Sequence, residues 1–161
     1  MPPKSQRPKA NAGRHIRKAN RHTALQRNTP QMTTKRYDIL LDDKIVGTTE
    51  LEKADAAMGV VFGNITFDRI ISGYDFLKTY CLTNNIEIVT DYPDDKLIAT
   101  ADISTLKVLK PNGIEIKGQG TSISGMDNDF FEITIFGISY PFFEEEFPHH
   151  VKAYNDQFKG S

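Results

Sequence analysis

The sequence predicts an α+β fold with a mainly antiparallel sheet. Short apolar strand patterns follow one another with tight turns between them, and only two segments of the domain have apolar residues at helical spacing. We expect about six or seven strands, one central helix at about residues 72–84 and a C-terminal helix packed on the sheet. The 161-residue chain divides into a basic tail, residues 1–35, and a single acidic domain, residues 36–159.

The strands are predicted from alternation and from turn residues. Residues 36–41 and 44–50 flank the acidic pair Asp42-Asp43, which favours a hairpin. Residues 59–67 (GVVFGNITF) form a third strand, in which glycines indicate a bulge or a close backbone approach. Further strands are expected at residues 86–90, 96–103, 105–110, 114–117 and 130–138.

The two helices are predicted from capping and apolar spacing. Ser72 and Asp75 form an S-x-x-D capping pattern at the start of the central helix. Its apolar stripe consists of Phe76, Leu77, Tyr80 and Cys81. The C-terminal apolar face has 4-4-3-4 spacing and consists of Phe143, Phe147, Val151, Tyr154 and Phe158. Pro148 interrupts this pattern, so a new helix is expected to begin near it.

The charge of the chain is strongly asymmetric. Residues 1–36 carry ten Lys or Arg and no acid, whereas residues 37–161 carry ten basic and 21 acidic residues, a net of −11. The overall net charge of −1 conceals this division. Such asymmetry indicates the charge of binding partners even where no motif is present.

The tail has too few large apolar residues to offset the entropy of ordering it, so it is predicted to be disordered when free. Arg14, Lys18 and Arg21 have the 4-3 spacing of a helical stripe. The candidate nucleic-acid arm consists of Arg14, Arg17, Lys18, Arg21 and Arg27. Its composition resembles the arginine-rich RNA-binding peptides of lambdoid phage antitermination proteins, which implies binding to RNA phosphates. The alternatives are a solvated tail and a tail that binds its own acidic domain.

No catalytic constellation, metal site or cofactor site is predicted. The domain has only two histidines, the adjacent His149 and His150, and these lack zinc-ligand spacing. The acids around Asp127 lack the frame of a calcium loop. The single cysteine, Cys81, is expected to be a core thiol, which favours a reducing, cytoplasmic location. No apolar run is long enough for a membrane helix, so no membrane partner is expected.

The acidic domain is expected to repel nucleic acid and to attract a basic protein. Small, acidic, cysteine-poor α+β domains resemble bacterial immunity or inhibitor proteins, which cover the surface of a toxin. This predicts a non-catalytic protein-binding domain, with a nucleic-acid-associated protein bound through the arm as the alternative and the oligomeric state open. The predicted contact surface consists of Asp91, Tyr92, Asp94, Asp95, Tyr140, Phe142, Glu144, Glu145 and Glu146.

Overall fold

The computed structural model describes residues 35–159. The five residues of the predicted arm, Arg14, Arg17, Lys18, Arg21 and Arg27, lie outside the described residues, as does almost all of the predicted tail. The strands are β1 (Tyr37–Leu41), β2 (Lys44–Thr49), β3 (Lys53–Asp55), β4 (Val60–Phe67), β5 (Ile88–Tyr92), β6 (Leu97–Thr100), β7 (Leu106–Leu109), β8 (Gly120–Met126) and β9 (Phe131–Phe136). The helices are α1 (Gly73–Thr83), α2 (Phe142–Glu146) and α3 (Pro148–Asp156), and a 3-10 turn covers Ala56–Met58.

All strand pairings are antiparallel, and the strands follow the order β5-β6-β8-β9-β4-β2-β1-β7, with β3 added to β4. The predicted α+β class with a mainly antiparallel sheet and a central helix is confirmed, and the single predicted C-terminal helix is two helices, α2 and α3. The predicted count of six or seven strands is wrong, because the sheet has nine. Strand β3 is only three residues long, and β8 is rich in Gly and Ser, which have weak β propensity. Residues 114–117 contribute a single bridge, Leu109 to Glu115, instead of a strand.

A bend at Leu51 lets one edge of β4 pair with two strands. The first residues of β4 pair with β3, and its last residues pair with β2. Leu51 is fully buried and has a positive φ of 49°. Gly63 faces this bend, because a Cβ at that position would lie 2.7 Å from the Leu51 backbone nitrogen. A glycine is therefore required where the two strands meet over β4.

Helix α1 has the predicted cap and covers the sheet at β6 and β8. The Ser72 hydroxyl accepts a hydrogen bond from the Asp75 amide at 3.0 Å. Asn84 is the C-terminal cap of the helix, and Asn85 follows it with φ 56°. Leu77 and Cys81 are fully buried beneath it. Burying one such aliphatic side chain contributes roughly 1.5–3 kcal/mol, which fixes α1 to this face of the sheet.

The C-terminal segment forms two short helices, and Pro148 is the first residue of α3, as predicted. Phe143 and Phe147 are buried beside Tyr37, whose ring centroid lies 6.2 Å from that of Phe147. The predicted apolar face ends early, because Phe158 is 61% exposed; its ring centroid lies 5.2 Å from that of Tyr154. Helix α3 instead lies against β3 and the 3-10 turn.

Among the helices of residues 35–159, none combines the length and apolar composition needed to cross a membrane.

Candidate functional site

The structure separates the predicted contact surface into two groups. Asp91, Tyr92, Asp94 and Asp95 lie on β5 and on the turn to β6, whereas the second group, residues 140–146, follows β9. Strand β9 begins near the β5–β6 turn, since Tyr92 pairs with Leu97, Leu97 pairs with Met126 and the neighbouring Gly125 pairs with Phe131. The second group leaves the opposite end of β9, and the Tyr140 hydroxyl donates to the Ala56 carbonyl at 2.9 Å. Ala56 lies just before β4, and four strand spacings, roughly 19 Å, separate β4 from β5. The two groups therefore lie on different parts of the sheet.

Glu146 is buried and does not belong to an exposed surface, which corrects the prediction for this residue. Its side chain is 4% exposed, and its carboxylate accepts hydrogen bonds from the Tyr37 hydroxyl at 2.8 Å and from Lys35 at 3.1 Å. Lys110 adds an ion pair at 2.8 Å. Three donors thus replace the water that an exposed carboxylate would keep.

The donors also control the protonation of this buried group. Burial alone raises the pKa of Glu146, but hydrogen bonds from Lys110, Tyr37 and Lys35 outweigh it, so the pKa lies below its usual value. The pKa of Tyr37 is strongly raised by burial, by its hydrogen bond to Glu146 and by the charge of that carboxylate. Glu146 is therefore an ionised structural residue that connects β1, α2 and the end of β7.

The rest of the second group offers a smaller surface. Glu144 and Glu145 are exposed, and neither forms an ion pair within residues 35–159. Tyr140 is 48% exposed and lies with its ring centroid 5.2 Å from that of Phe143. Phe142 is half-buried against the core. Two free carboxylates and one accessible aromatic ring remain from the five predicted residues.

The first group is joined by two further segments. The Asp127 amide donates to the Lys96 carbonyl at 3.1 Å, which connects the β8–β9 turn to the β5–β6 turn. The Asp127 carboxylate accepts hydrogen bonds from the Ser72 hydroxyl and, at 3.0 Å, from the Tyr74 amide at the start of α1. We call the resulting surface the acidic end; its carboxylates are Asp75, Asp91, Asp94, Asp95, Asp127 and Asp129.

Two lysines face these six carboxylates. Lys78 pairs with Asp91 at 3.0 Å, and Lys96 pairs with Asp75 at 3.2 Å. The pKa of Asp91 is lowered by the hydrogen bond from the Tyr74 hydroxyl and then by Lys78. The carboxylates of Asp94, Asp95 and Asp129 are exposed and have no ion pair among the described residues. The acidic end therefore keeps a negative excess that its own lysines do not neutralise.

Exposed apolar side chains lie beside these acids. Tyr92 is 58% exposed, Phe130 is 49% exposed and Ile71 is fully exposed. Next to them, on the sheet face opposite α1, is a groove of about 280 Å³. We call the sheet face opposite α1 the open face. The groove on it is lined by Thr90, Leu97, Ala99, Ser124, Met126, Phe130 and Glu132, among others. Aromatic anchors next to charge are typical of protein interfaces.

The ion pairs of residues 35–159 leave acids in excess over the described part of the chain as a whole. Residues 35–159 contain twelve Lys or Arg and 21 Asp or Glu, a net of −9. Ten of the twelve cations form ion pairs with acids of the same domain, and Lys44 and Lys117 form none among the described residues. Few cations therefore remain to bind phosphate, and thirteen carboxylates remain without an ion pair within residues 35–159.

The cysteine and the two histidines considered for catalysis or metal binding are in contact with the core or the backbone of the domain. Burial raises the pKa of the Cys81 thiol, which lies in the core. His150 lies with Nε2 2.9 Å from the Leu51 carbonyl oxygen. Burial, His150 and Lys35 lower the pKa of His149. Within residues 35–159 no three His, Cys, Asp or Glu side chains are grouped as metal ligands would be.

Comparison of the chain with protein-family models, with curated proteins and with solved structures finds no match.

Proposed function

We propose that the domain is a non-catalytic protein-binding module of immunity or inhibitor type, and that its acidic end binds a basic protein in the cytoplasm. The observation that carries this proposal is the convergence of three separate segments on one surface with six carboxylates and two lysines. Opposite charge accelerates association and selects between partners.

The acidic end is a better candidate than the surface at α2 because it combines charge with apolar anchors. Tyr92 and Phe130 project beside the exposed acids, whereas the α2 surface loses Glu146 to the core. Aromatic side chains supply most of the binding energy at such interfaces, and charges at the rim mainly set the association rate. Tyr92 and Phe130 therefore supply most of the affinity for the partner. Asp94, Asp95 and Asp129 mainly set the association rate.

The proposal is tested with a partner that is first identified. The full chain is used to capture proteins from its native host, mass spectrometry identifies them, and the binary complex is rebuilt from purified components. We expect a basic partner whose association rate falls steeply with salt. A rebuilt complex that is insensitive both to salt and to Tyr92→Ala would refute the proposal.

As a second candidate, we propose that residues 14–27 bind RNA or DNA. This alternative is supported by the distribution of basic residues: ion pairs occupy ten of the twelve cations of residues 35–159, and the other eight Lys or Arg of the sequence lie in residues 1–34. Replacing Arg14, Arg17, Lys18, Arg21 and Arg27 with Gln in the full chain should weaken binding and flatten its salt dependence, by a slope of about 0.9 for each lost duplex phosphate contact. Unchanged binding would refute this second role.

A further inference from the structure

The Lys53 side chain extends from β3 across β4 and contacts residues at β9. Its ammonium group donates to the Glu132 carboxylate at 2.6 Å, two strands away on β9. The same nitrogen lies 5.5 Å from the ring centroid of Phe62 and 5.6 Å from that of Phe130. One cation is thus held by two aromatic rings and a carboxylate.

These three side chains form a site that suits a cation of any origin. Ring faces attract ammonium and guanidinium groups, and a carboxylate adds a charge-assisted hydrogen bond. We call the three residues Phe62, Phe130 and Glu132 the aromatic cage. Its occupant is not locked in place, because the Lys53 side chain is 41% exposed and Phe130 is 49% exposed. Lys53 is the more accessible partner of this ion pair, because its side chain is 41% exposed and that of Glu132 is 21% exposed, so a competing cation can reach the carboxylate when Lys53 moves away.

The cage lies between two grooves and contributes lining residues to both. A groove of about 540 Å³ between β3 and α3 is lined by Lys53, Phe62 and Tyr154, among others. The groove of about 280 Å³ over β6 and β8 is lined by Phe130 and Glu132. A segment of another protein lying in either groove can therefore place a long side chain into the cage.

We propose that the aromatic cage is the anchor subsite for an arginine or lysine side chain of the basic partner, and that Lys53 is an internal occupant which this side chain displaces. The inference rests on the proposed function for the charge of the partner. It adds a second element to the interface, because Phe130 belongs both to the cage and to the acidic end. A basic side chain is the occupant that the negative surroundings and the Glu132 carboxylate favour.

The alternative is a purely structural role, in which the Lys53–Glu132 ion pair only stabilises the position of β3 relative to β9. Both views expect Lys53→Met to cost some stability, so stability does not separate them. A vacant cage should bind an added cation, whereas a brace that has been removed should bind nothing.

The experiment uses the full chain and N-acetyl-arginine amide as probe, followed by NMR of the aromatic side chains. Lys53→Met should bind the probe at least about fivefold more tightly than the unmodified chain, with shifts at the rings of Phe62 and Phe130. Adding Glu132→Gln to Lys53→Met should remove this gain. Lys117→Met, which removes an exposed lysine without an ion pair among the described residues, is the matched control and should leave binding unchanged.

Equal probe binding by the unmodified chain and Lys53→Met would overturn the proposal, as would shifts that avoid both rings. If Lys53→Met does not fold, Phe62→Leu with Lys53 retained serves instead, since Phe62 belongs to the cage and not to the acidic end. It should weaken the rebuilt partner complex at least about tenfold; a smaller loss overturns the subsite. A probe result against the cage leaves the partner-binding role standing, whereas failure to find a basic partner refutes that role without affecting the probe measurement.

Discussion

Glu146 shows at the scale of one residue how a run of three glutamates divides between solvent and core. Phe143, Glu146 and Phe147 are spaced i, i+3, i+4 and share one face of the chain at α2. Glu144 and Glu145 face solvent. The spacing alone could have placed Glu146 beside two buried phenylalanines. Its donors could not be anticipated, because Tyr37 and Lys110 are distant in sequence.

Glu146→Gln should lower the free energy of unfolding by about 3 kcal/mol, because it removes a buried anion and leaves Lys110, which is 22% exposed, without its partner; Lys35 is 52% exposed and regains water. Glu145→Gln makes the same chemical change one residue away at an exposed position and should stay within about 0.5 kcal/mol. Urea unfolding of both variants measures the difference. Equal stability of the two variants would show that the Glu146 cluster contributes nothing.

The lowered pKa of Glu146 makes its contribution to stability depend on pH. Its pKa is lower in the folded state than in the unfolded state, so its stabilising contribution is complete above the unfolded value, about 4.3, and is lost as pH falls through the folded value. The stability difference between the unmodified chain and Glu146→Gln should therefore be largest near neutrality and shrink below about pH 4. A difference that grows in acid would contradict the assigned pKa direction.

Cys81 should react slowly with a thiol reagent in the folded protein, because burial raises the pKa of its thiol and removes it from solvent. Labelling by a chromogenic disulfide should proceed at the rate of opening of the structure and become fast in denaturing urea. Fast labelling under native conditions would contradict the placement of Cys81 in the core.

At the scale of elements, α1 could be predicted almost to the residue, whereas β8 could not. The cap at Ser72, the apolar stripe and Asn84-Asn85 are local properties of the sequence, and local pattern decides helix ends. Strand β8 (GTSISGM) has one large buried side chain, Ile123. Its small residues are required by neighbours, since a Cβ on Gly125 would lie 2.5 Å from the Phe130 carbonyl oxygen.

Asp127 connects the β8–β9 turn to the start of α1 and to the β5–β6 turn, whereas Asp129 is exposed. Asp127→Ala removes the acceptor for Ser72 and for the Tyr74 amide, so unfolding should become easier by about 1–2 kcal/mol. Asp129→Ala, two residues further along the same turn, removes an exposed carboxylate and should have little effect. Thermal unfolding compares the two. If both variants lose the same stability, the connection of the three segments does not depend on Asp127.

At the scale of the whole molecule, the charge excess could be read from the sequence, but its arrangement could not. The sequence predicts one surface containing residues 91–95 and residues 140–146, because both segments combine acids with aromatic residues. Strand order places them at opposite ends of the sheet, and this order depends on long-range pairing. The same pairing brings Asp127, Asp129 and Phe130 to the first group from more than thirty residues away.

The central claim is that the acidic end binds a basic protein, and the association rate of the rebuilt complex tests it most directly. Asp94→Asn/Asp95→Asn removes two charges from the acidic end, and Glu144→Gln/Glu145→Gln removes two charges from the opposite end of the sheet. Stopped-flow measurement at low salt should show about a tenfold slower association for the first variant and less than a twofold change for the second. Equal rates for both variants, or a larger loss for the second, would contradict the claim.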